Sequence, residues 1–217
     1  MHIPVRFAVP FRRSAALLSL VALLWVLPTL SAQELKPIQL PKPQITGGMP
    51  LMQALAHRQT TRAFQDKPLP PQTLSNLLWA AFGVNRSREV KPGLGRTAPS
   101  ASNRQEIELY VLLADGVYVY EAEANRLRPV EAGDMRAKIS PAAAANAAVT
   151  IAYVADAKLD SAQIDTGFIG QNVYLFAASE GLNAWVYAFH GQDVAMILKL
   201  PEGKKGICAQ SVGYPPK

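Results

Sequence analysis

One apolar segment constrains the fold of this chain more than any other feature. Residues Ala147 to Ala155 are almost all apolar or β-branched, as expected of a strand in the middle of a sheet. Helical and extended patterns are mixed around it, without regular strand–helix–strand alternation. An α+β fold, with helices packed on a central sheet, is the natural class for such a pattern.

The remaining elements follow from periodicity, prolines and glycines. Leu51, Met52 and Leu55 share one face of a helix that runs to His57-Arg58. The other expected helices cover Pro70 to Ala81 with Gly83 as its cap, Asp134 to Ile139, Ile164 to Glu180 closed by Gly181, and Asp193 to Leu198. The expected strands are Ile107 to Leu113, Val117 to Tyr120, Leu127 to Val130, Ala184 to Phe189 and Gly206 to Gly213. Val84 to Ala98, rich in glycine and arginine, is expected to be a loop.

The first 32 residues have the three parts of an export signal. A basic start reaches Arg12-Arg13, an apolar stretch follows from Ala15 to Leu27, and a small residue at Ala32 offers a cleavage position. A spanning helix needs about 20 apolar residues, so this stretch is short for one. We expect a cleaved signal, no stable membrane span afterwards, and a periplasmic or otherwise exported protein. An uncleaved anchor is the alternative. The arginine pair also fits a twin-arginine signal.

Composition limits the possible roles of the chain after this signal. Residues 33–48 contain three prolines and end in Gly47-Gly48, which predicts an extended arm. Residues 49–217 are expected to form one domain. Residues 1–32 hold three of the 22 basic residues and none of the 16 acidic ones, so the rest carries a net charge of +3. A charge this small does not suggest a nucleic-acid binder, which would show a concentrated basic face.

The sequence offers no pattern of metal ligands. Cys208 is the only cysteine, which excludes an internal disulfide and a cysteine-based metal site. Its apolar neighbours indicate a small buried side chain. The histidines, His2, His57 and His190, have no ligand spacing. We expect no metal.

Three segments could carry chemistry. In the first, Arg58 and Arg62 surround two threonine hydroxyls after a helix, and such donors in one small space suit a phosphate monoester. A solvated helix end is the alternative. In the second, small and amide side chains from Pro99 to Gln105 would let a planar ligand approach the backbone. An ordinary polar loop has the same composition.

The third segment follows Gly181. Trp185, Tyr187 and Phe189 alternate, so they face one side of a sheet. Core packing is the commoner reason for such a stripe, and cofactor binding is the other.

In this order and spacing, the three segments resemble the nitroreductase family of flavin mononucleotide (FMN) enzymes. The family's N-terminal signature matches Arg58 to Phe64, and its Pro-Ser-x-x-Asn-x-Gln loop matches Pro99 to Gln105. Its long helix ending in Gly-Leu matches Gln171 to Leu182, and its last strand matches Val212 to Pro215. The resemblance covers residues 49–217. No catalytic residue is expected, because the flavin carries the redox chemistry.

The resemblance implies a single α+β domain with a central mixed sheet flanked by helices, working as a homodimer with FMN at the interface. The residues expected to hold the phosphate and ribityl chain are Arg58, Gln59, Thr60 and Arg62. The residues expected to reach the flavin from the partner subunit are Pro99, Ser100, Ala101, Ser102 and Asn103. Val186, Tyr187 and Ala188 would lie near the flavin ring. Lys217 is the only basic residue after the last strand.

The function implied is electron or hydride transfer between FMN and a small organic substrate outside the cytoplasm. Tyr118 to Ile139 would form a variable segment over the flavin, and an exposed hairpin edge is its alternative role. Two other functions stay open. The protein could bind a flavin or another planar molecule without turnover. It could also be a peptide-modifying dehydrogenase, because Leu77 to Ala81 and Gly83 to Arg86 are similar to the azoline-forming branch of the family.

Overall fold

A computed structural model describes Met1–His2 and residues 34–87, 94–189 and 193–217. Most of the predicted export signal lies outside these residues. The strands are β1 (Ile38–Gln39), β2 (Val84–Ser87), β3 (Leu94–Arg96), β4 (Glu108–Leu112), β5 (Gly116–Glu121), β6 (Arg126–Ala132), β7 (Val149–Asp156), β8 (Asn183–Tyr187) and β9 (Lys204–Gly213). The helices are α1 (Leu51–His57), α2 (Pro71–Phe82), α3 (Arg136–Ile139), α4 (Ala162–Ser179) and α5 (Val194–Ile197).

A seven-stranded sheet organises the domain, in the order β1-β6-β5-β4-β7-β9-β8. The predicted central strand is confirmed as β7, which pairs with β4 on one side and β9 on the other. The expected α+β class, a central sheet with flanking helices, is also confirmed. Within this sheet, every strand pair among the described residues is antiparallel.

Both faces of β7 are buried, which explains its continuous apolar sequence. Ile151 and Tyr153 point into the larger core, which α2 and α4 cover. Ala152 and Val154 point the other way, into a smaller core with Ile139 and Leu198 near α3 and α5. The sheet is therefore the middle layer of the domain.

The predicted apolar face of α1 is not part of the core. Leu51, Met52 and Leu55 are 62 %, 75 % and 43 % exposed in the single chain, and Ala54 is the buried residue of this helix. Periodicity identifies which residues share a face, but it does not identify the surface that the face contacts. Here α1 packs against α4, and the residue that becomes buried is an alanine, Ala54.

Part of the proline-rich arm joins the sheet as β1. Ile38 and Gln39 pair with Leu127 and Arg126 of β6, and Leu40 is buried. Residues Gln33–Lys217 form one unit by their contacts, and the arm is included in it.

The prediction of a loop from Val84 to Ala98 is wrong in part, because this range contains β2 and β3. β2 and β3 pair as a two-stranded ribbon outside the main sheet. Glycine and arginine hide the strand pattern, because cross-strand backbone hydrogen bonds hold such a ribbon without an alternating apolar face. Gly83, at its base, ends α2 as predicted, and a Cβ at this position would collide with the ring of Trp79.

None of the helices in the described ranges combines the length and apolar character that crossing a bilayer requires.

Candidate functional site

The first predicted segment runs along the outer edge of β8. The backbone N–H of Thr61 donates to the carbonyl of Ala184 at 3.0 Å, and the Ala184 N–H donates to the Thr61 hydroxyl at 3.2 Å. The side-chain amide of Asn183 donates to the carbonyl of Ala63 at 2.7 Å. These bonds fix the extended path of residues 58–65, so their side chains are presented in a defined order at the sheet edge.

Tyr174 of α4 connects this segment to β8. Its hydroxyl lies 3.1 Å from the Thr60 hydroxyl and accepts the backbone N–H of Val186 at 2.9 Å. The guanidinium of Arg58 lies over the ring, 5.6 Å from its centroid. Three of the predicted cofactor-binding positions, Arg58, Thr60 and Val186, therefore meet at one side chain.

Tyr174 was missed by the sequence analysis, which treated α4 as a packing helix. A signal for it exists. A buried tyrosine in an otherwise apolar stripe, beside Val173 and Ala177, needs a partner for its hydroxyl. That partner is the segment that carries the arginines.

Arg62 is also placed by an aromatic ring, but on the other face of the sheet. Its guanidinium lies 5.3 Å from the centroid of the Trp185 ring. Trp185 packs in the small cluster with Tyr187 and Phe189, whereas Tyr174 belongs to the large core. The two arginines are thus held at the same sheet edge by rings from opposite faces.

Gln59 lies beside a shallow cleft of about 190 Å³. The cleft separates the end of α1 from the turn between α4 and β8, and it is lined by His57, Gln59, Thr61, Tyr174, Ala177, Ala178, Gly181, Leu182 and Asn183. The turn is tight because Gly181 adopts a left-handed backbone with φ of +67°. Amide, hydroxyl and imidazole groups in the cleft suit a polar part of a ligand.

The three residues predicted near the flavin ring are not equivalent. Val186 is 40 % exposed, and Ala188 is exposed. The Tyr187 side chain is buried, and its hydroxyl bonds to the hydroxyls of Ser140 at 2.7 Å and Ser211 at 2.6 Å. Tyr187 can therefore offer a ligand its backbone and not its ring. The stripe of Trp185, Tyr187 and Phe189 packs as one cluster, as the core-packing alternative expects.

The second predicted segment, Pro99 to Gln105, has an irregular backbone. Ser102, Asn103 and Gln105 have positive φ values of 52°, 55° and 54°. Asparagine tolerates this region better than most residues. The Ser100 hydroxyl accepts the backbone N–H of Gln105 at 2.9 Å and closes the loop.

Asp165, in the first turns of α4, holds this loop against the helix. Its two carboxylate oxygens accept the backbone N–H of Ala101 at 3.0 and 3.2 Å, and the residue is only 2 % exposed. Burial raises the pKa of the Asp165 carboxyl, and the nearby Glu106 carboxyl raises it further, against the lowering effect of the Ala101 N–H. The sequence analysis did not single out Asp165.

Among the described residues, the two segments are attached to α4 at different points and no hydrogen bond joins them directly. The loop is attached at Asp165 and the arginine segment at Tyr174, nine positions later on the same helix. At a rise of 1.5 Å per residue, the attachment points are about 14 Å apart along the helix axis.

Within one subunit the two strands of the segment from Tyr118 to Ile139 lie away from this site, whereas its helix α3 is followed by Ser140, whose hydroxyl bonds to that of Tyr187. The segment forms β5, β6 and α3, and β5 and β6 lie four and five strands from β8, about 20 Å away. Tyr118 and Arg136 are buried, while Arg126 and Arg128 both bind Glu121. The exposed-hairpin alternative therefore describes Arg126 and Arg128, and it does not describe Tyr118 or Arg136.

Comparisons with known proteins agree with this architecture. A family model described as the nitroreductase family matches residues 55–214. A candidate nitroreductase of Methanocaldococcus jannaschii, MJ1384, is 32 % identical over 174 residues, covering 70 % of this chain and 85 % of that protein.

Solved structures agree as well. A candidate nitroreductase from Ralstonia eutropha JMP134 is 32 % identical with a TM-score of 0.74, covering 86 % of this chain and 92 % of that one. A structure named as an FMN-dependent nitroreductase, from Clostridium difficile R20291, shares the fold at 18 % identity and a TM-score of 0.50, covering 76 % of this chain and 88 % of that one. The family match spans the arginine segment, the loop from Pro99 to Gln105, α4 and β8. The chain belongs to the nitroreductase family of oxidoreductases.

Proposed function

We propose that this protein is an exported, homodimeric oxidoreductase that binds FMN and exchanges electrons or hydride with a small organic substrate. The cluster around Tyr174 carries the proposal. It places the Arg58 guanidinium, the Thr60 hydroxyl and the backbone of Val186 around one phenol at the β8 edge of the sheet. Family membership supports the redox class, and the FMN-dependent structural relative supports the cofactor.

The residues of this edge suit FMN chemically. A phosphate monoester needs several directed donors, and the guanidinium groups of Arg58 and Arg62 provide them. The amide of Gln59 and the hydroxyl of Thr60 suit the hydroxyl-rich ribityl chain. Val186 and Ala188 are exposed and have small side chains, which suits the approach of a flat ring system at this end of β8.

The bound flavin supplies the redox chemistry, since its ring accepts and returns hydride or single electrons. The chain's own groups bind and orient. Arg58 and Arg62 would hold the phosphate, Gln59 and Thr60 would hold the ribityl chain, and the backbone from Val186 onward would lie against the ring. No side chain is assigned proton transfer.

The same site supports the proposed homodimer. The loop from Pro99 to Asn103 and the arginine segment are attached to α4 about 14 Å apart, which is consistent with a loop supplied by a second subunit. Exposed apolar side chains support this assembly. Leu51, Met52 and Leu55 of α1, with Ile164 and Phe168 of α4, form surfaces that water disfavours.

The proposal of export is based on the signal in residues 1–32, and its arginine pair suggests the twin-arginine pathway. A flavin held between two subunits is best inserted before export, and the twin-arginine route carries folded proteins. Replacing both Arg12 and Arg13 with lysine should therefore leave the protein in the cytoplasm. Continued export of that double variant would reject the twin-arginine assignment.

An exported enzyme also does not ordinarily meet soluble nicotinamide cofactors, so we expect another electron donor.

The azoline-forming branch remains a proposal based on Leu77 to Ala81 and Gly83 to Arg86. In the structure these residues end α2 and begin β2 beside Arg96, which donates to the Phe82 carbonyl at 3.2 Å. Peptide modification ordinarily requires partner proteins. Neighbouring genes that encode such partners would favour this branch over a free-standing reductase.

The test is the cofactor itself. The natively exported protein should be yellow, should release FMN that is identified by mass, and should rebind it in a fluorescence titration. Bound FMN should be bleached by dithionite without oxygen and recover its colour when a quinone or nitroaromatic acceptor is added. A colourless protein that ignores added FMN would overturn the proposal. Flavin that binds but does not pass electrons to any acceptor would support the non-catalytic binding alternative.

A further inference from the structure

Arg96 fixes the direction of a hydrogen-bond chain in the loop from Pro99 to Gln105. A guanidinium only donates hydrogen bonds, so any oxygen bonded to it must be the acceptor. Its Nε donates to Oε1 of Gln105 at 2.8 Å, and a terminal nitrogen donates to the Phe82 carbonyl at 3.2 Å. The guanidinium also lies 5.1 Å from the centroid of the Phe82 ring. These contacts give Arg96 one orientation.

The amide of Gln105 is oriented as a consequence. Its oxygen must face Arg96, so its nitrogen faces the opposite way and donates to Oδ1 of Asn103 at 3.1 Å. Asparagine and glutamine amides can usually be reversed without a visible change of shape. Here reversal is opposed, because it would set the Gln105 nitrogen against a donor.

Asn103 is the last residue in this series of hydrogen bonds. With its oxygen bound to Gln105, its nitrogen carries two N–H donors on the other side, and no residue in the described ranges accepts from them. We propose that Arg96 and Gln105 are positioning residues that make Asn103 present N–H donors, and not its carbonyl, to the bound ligand. The ligand atom at this position is then a hydrogen-bond acceptor. The inference rests on the proposed function, in which that acceptor is a carbonyl oxygen or ring nitrogen of the flavin.

The backbone frame supports a fixed polarity. Ala101 is held by buried Asp165, and the backbone of Gln105 is held by the Ser100 hydroxyl at 2.9 Å. Asn103 itself has a left-handed backbone with φ of 55°, which directs its side chain toward Gln105. The loop therefore offers a prearranged donor and does not have to reorganise on binding.

Two substitutions of Asn103 separate donor from acceptor. Asn103→Asp keeps an acceptor for Gln105 but replaces the outward N–H donors with a charged oxygen. Asn103→Ala removes both. In FMN titrations followed by fluorescence, Asn103→Ala should weaken binding about tenfold or less, the usual value of one hydrogen bond. Asn103→Asp should weaken it further, because a carboxylate then faces an acceptor.

The outcomes distinguish this inference from the proposed function. Wild-type protein that does not bind FMN would reject the proposed function. Wild-type binding with Asn103→Asp as tight as wild type would leave that function standing and overturn the assigned polarity. Thermal unfolding of each variant identifies any loss of binding that comes from misfolding.

Arg96 provides a second, independent measurement. In protein labelled with ¹⁵N at asparagine, the Asn103 side-chain amide resonances should shift and exchange more slowly with water when FMN is added. Arg96→Met removes the fixed donor, lets both amides reverse, and should weaken FMN binding severalfold with a smaller shift. Arg96→Lys keeps a donor and should restore both. An Asn103 signal that FMN leaves unchanged, or Arg96→Met equal to wild type in both measurements, would overturn the inference.

Discussion

The hydroxyl oxygens of Tyr174 and Thr60 lie 3.1 Å apart, although the residues are separated by 114 positions in the chain. The same phenol accepts the N–H of Val186 at 2.9 Å. The Tyr174 side chain of α4 thus sets the distance between the arginine segment and β8, along which that segment runs. The geometry of the proposed phosphate end depends on the packing of α4 as much as on the arginines.

Tyr174→Phe should lower both stability and FMN affinity. The Val186 N–H would lose its acceptor in a partly buried place, which costs about 1–3 kcal/mol of unfolding free energy. Thermal unfolding and FMN titration measure the two effects. Tyr214→Phe is the control, because the Tyr214 hydroxyl makes no hydrogen bond within the described residues. Equal values for the two variants would show that the Tyr174 bonds contribute nothing.

Arg58→Ala should weaken FMN binding about 10- to 100-fold, the value of a charge-assisted hydrogen bond to an anion. The effect should fall on affinity and not on folding, because the guanidinium lies on the surface of the Tyr174 ring. The control is Arg126→Ala, which also removes one positive charge. Arg126 pairs with Glu121 in the hairpin of β5 and β6, so this variant should bind FMN as wild type does. Similar losses in both would indicate only a general charge effect.

Asp165→Asn should change how stability depends on pH. Burial, and then Glu106, raise the pKa of Asp165, so the folded protein holds its proton more tightly than the unfolded chain does. The free energy of unfolding should therefore fall as the pH rises from the ordinary aspartate pKa through the raised value. Asp165→Asn lacks this titration. Its stability relative to wild type should increase across the same window in urea unfolding.

Asp160, an exposed aspartate just before α4, provides the control for that experiment. The profile of Asp160→Asn shows the effect of removing an exposed carboxylate from the same stretch of the chain. A wild-type profile parallel to that of Asp165→Asn at every pH would contradict the expected titration.

Phe168→Lys should yield monomers with reduced FMN affinity. Phe168 is 45 % exposed on α4, and a lysine there would place a charge in the proposed subunit interface. Sedimentation equilibrium measures the mass, and titration measures the affinity. Met196→Lys changes a side chain that is 68 % exposed on α5, and it should remain dimeric. A dimeric Phe168→Lys variant would place the interface elsewhere.

Gly181→Ala should destabilise the protein by about 1 kcal/mol, because φ at this position is +67° and a Cβ disfavours this region. No atom lies within 4 Å of the Cβ position, so backbone strain is the whole cost. Gly181→Asn should lose less, since asparagine accepts the left-handed region. If Gly181→Asn unfolded at a lower temperature than Gly181→Ala, a steric clash and not backbone strain would explain the loss of stability.

Much of the fold could be predicted because its signals are local. The run from Ala147 to Ala155 predicts β7, and Gly181 predicts the end of α4, because burial on two faces and a left-handed cap restrict the residue types directly. The ribbon of β2 and β3 was hidden, because backbone pairing and not side-chain pattern holds it. Periodicity placed Leu51, Met52 and Leu55 on one face of α1, but it does not reveal which surface covers a face.

The sequence by itself determined which segments could hold a phosphate and a planar ring. Guanidinium groups beside hydroxyls, and small residues beside amides, have their chemistry wherever the chain places them. Tertiary structure alone decided that Tyr174 joins Thr60 to Val186, that Asp165 holds Ala101, and that Arg96 directs Asn103 through Gln105. These contacts depend on how α4 and the loop pack against the sheet. A hydrogen bond requires a distance and an angle between atoms, and residue order does not specify either one across a hundred positions.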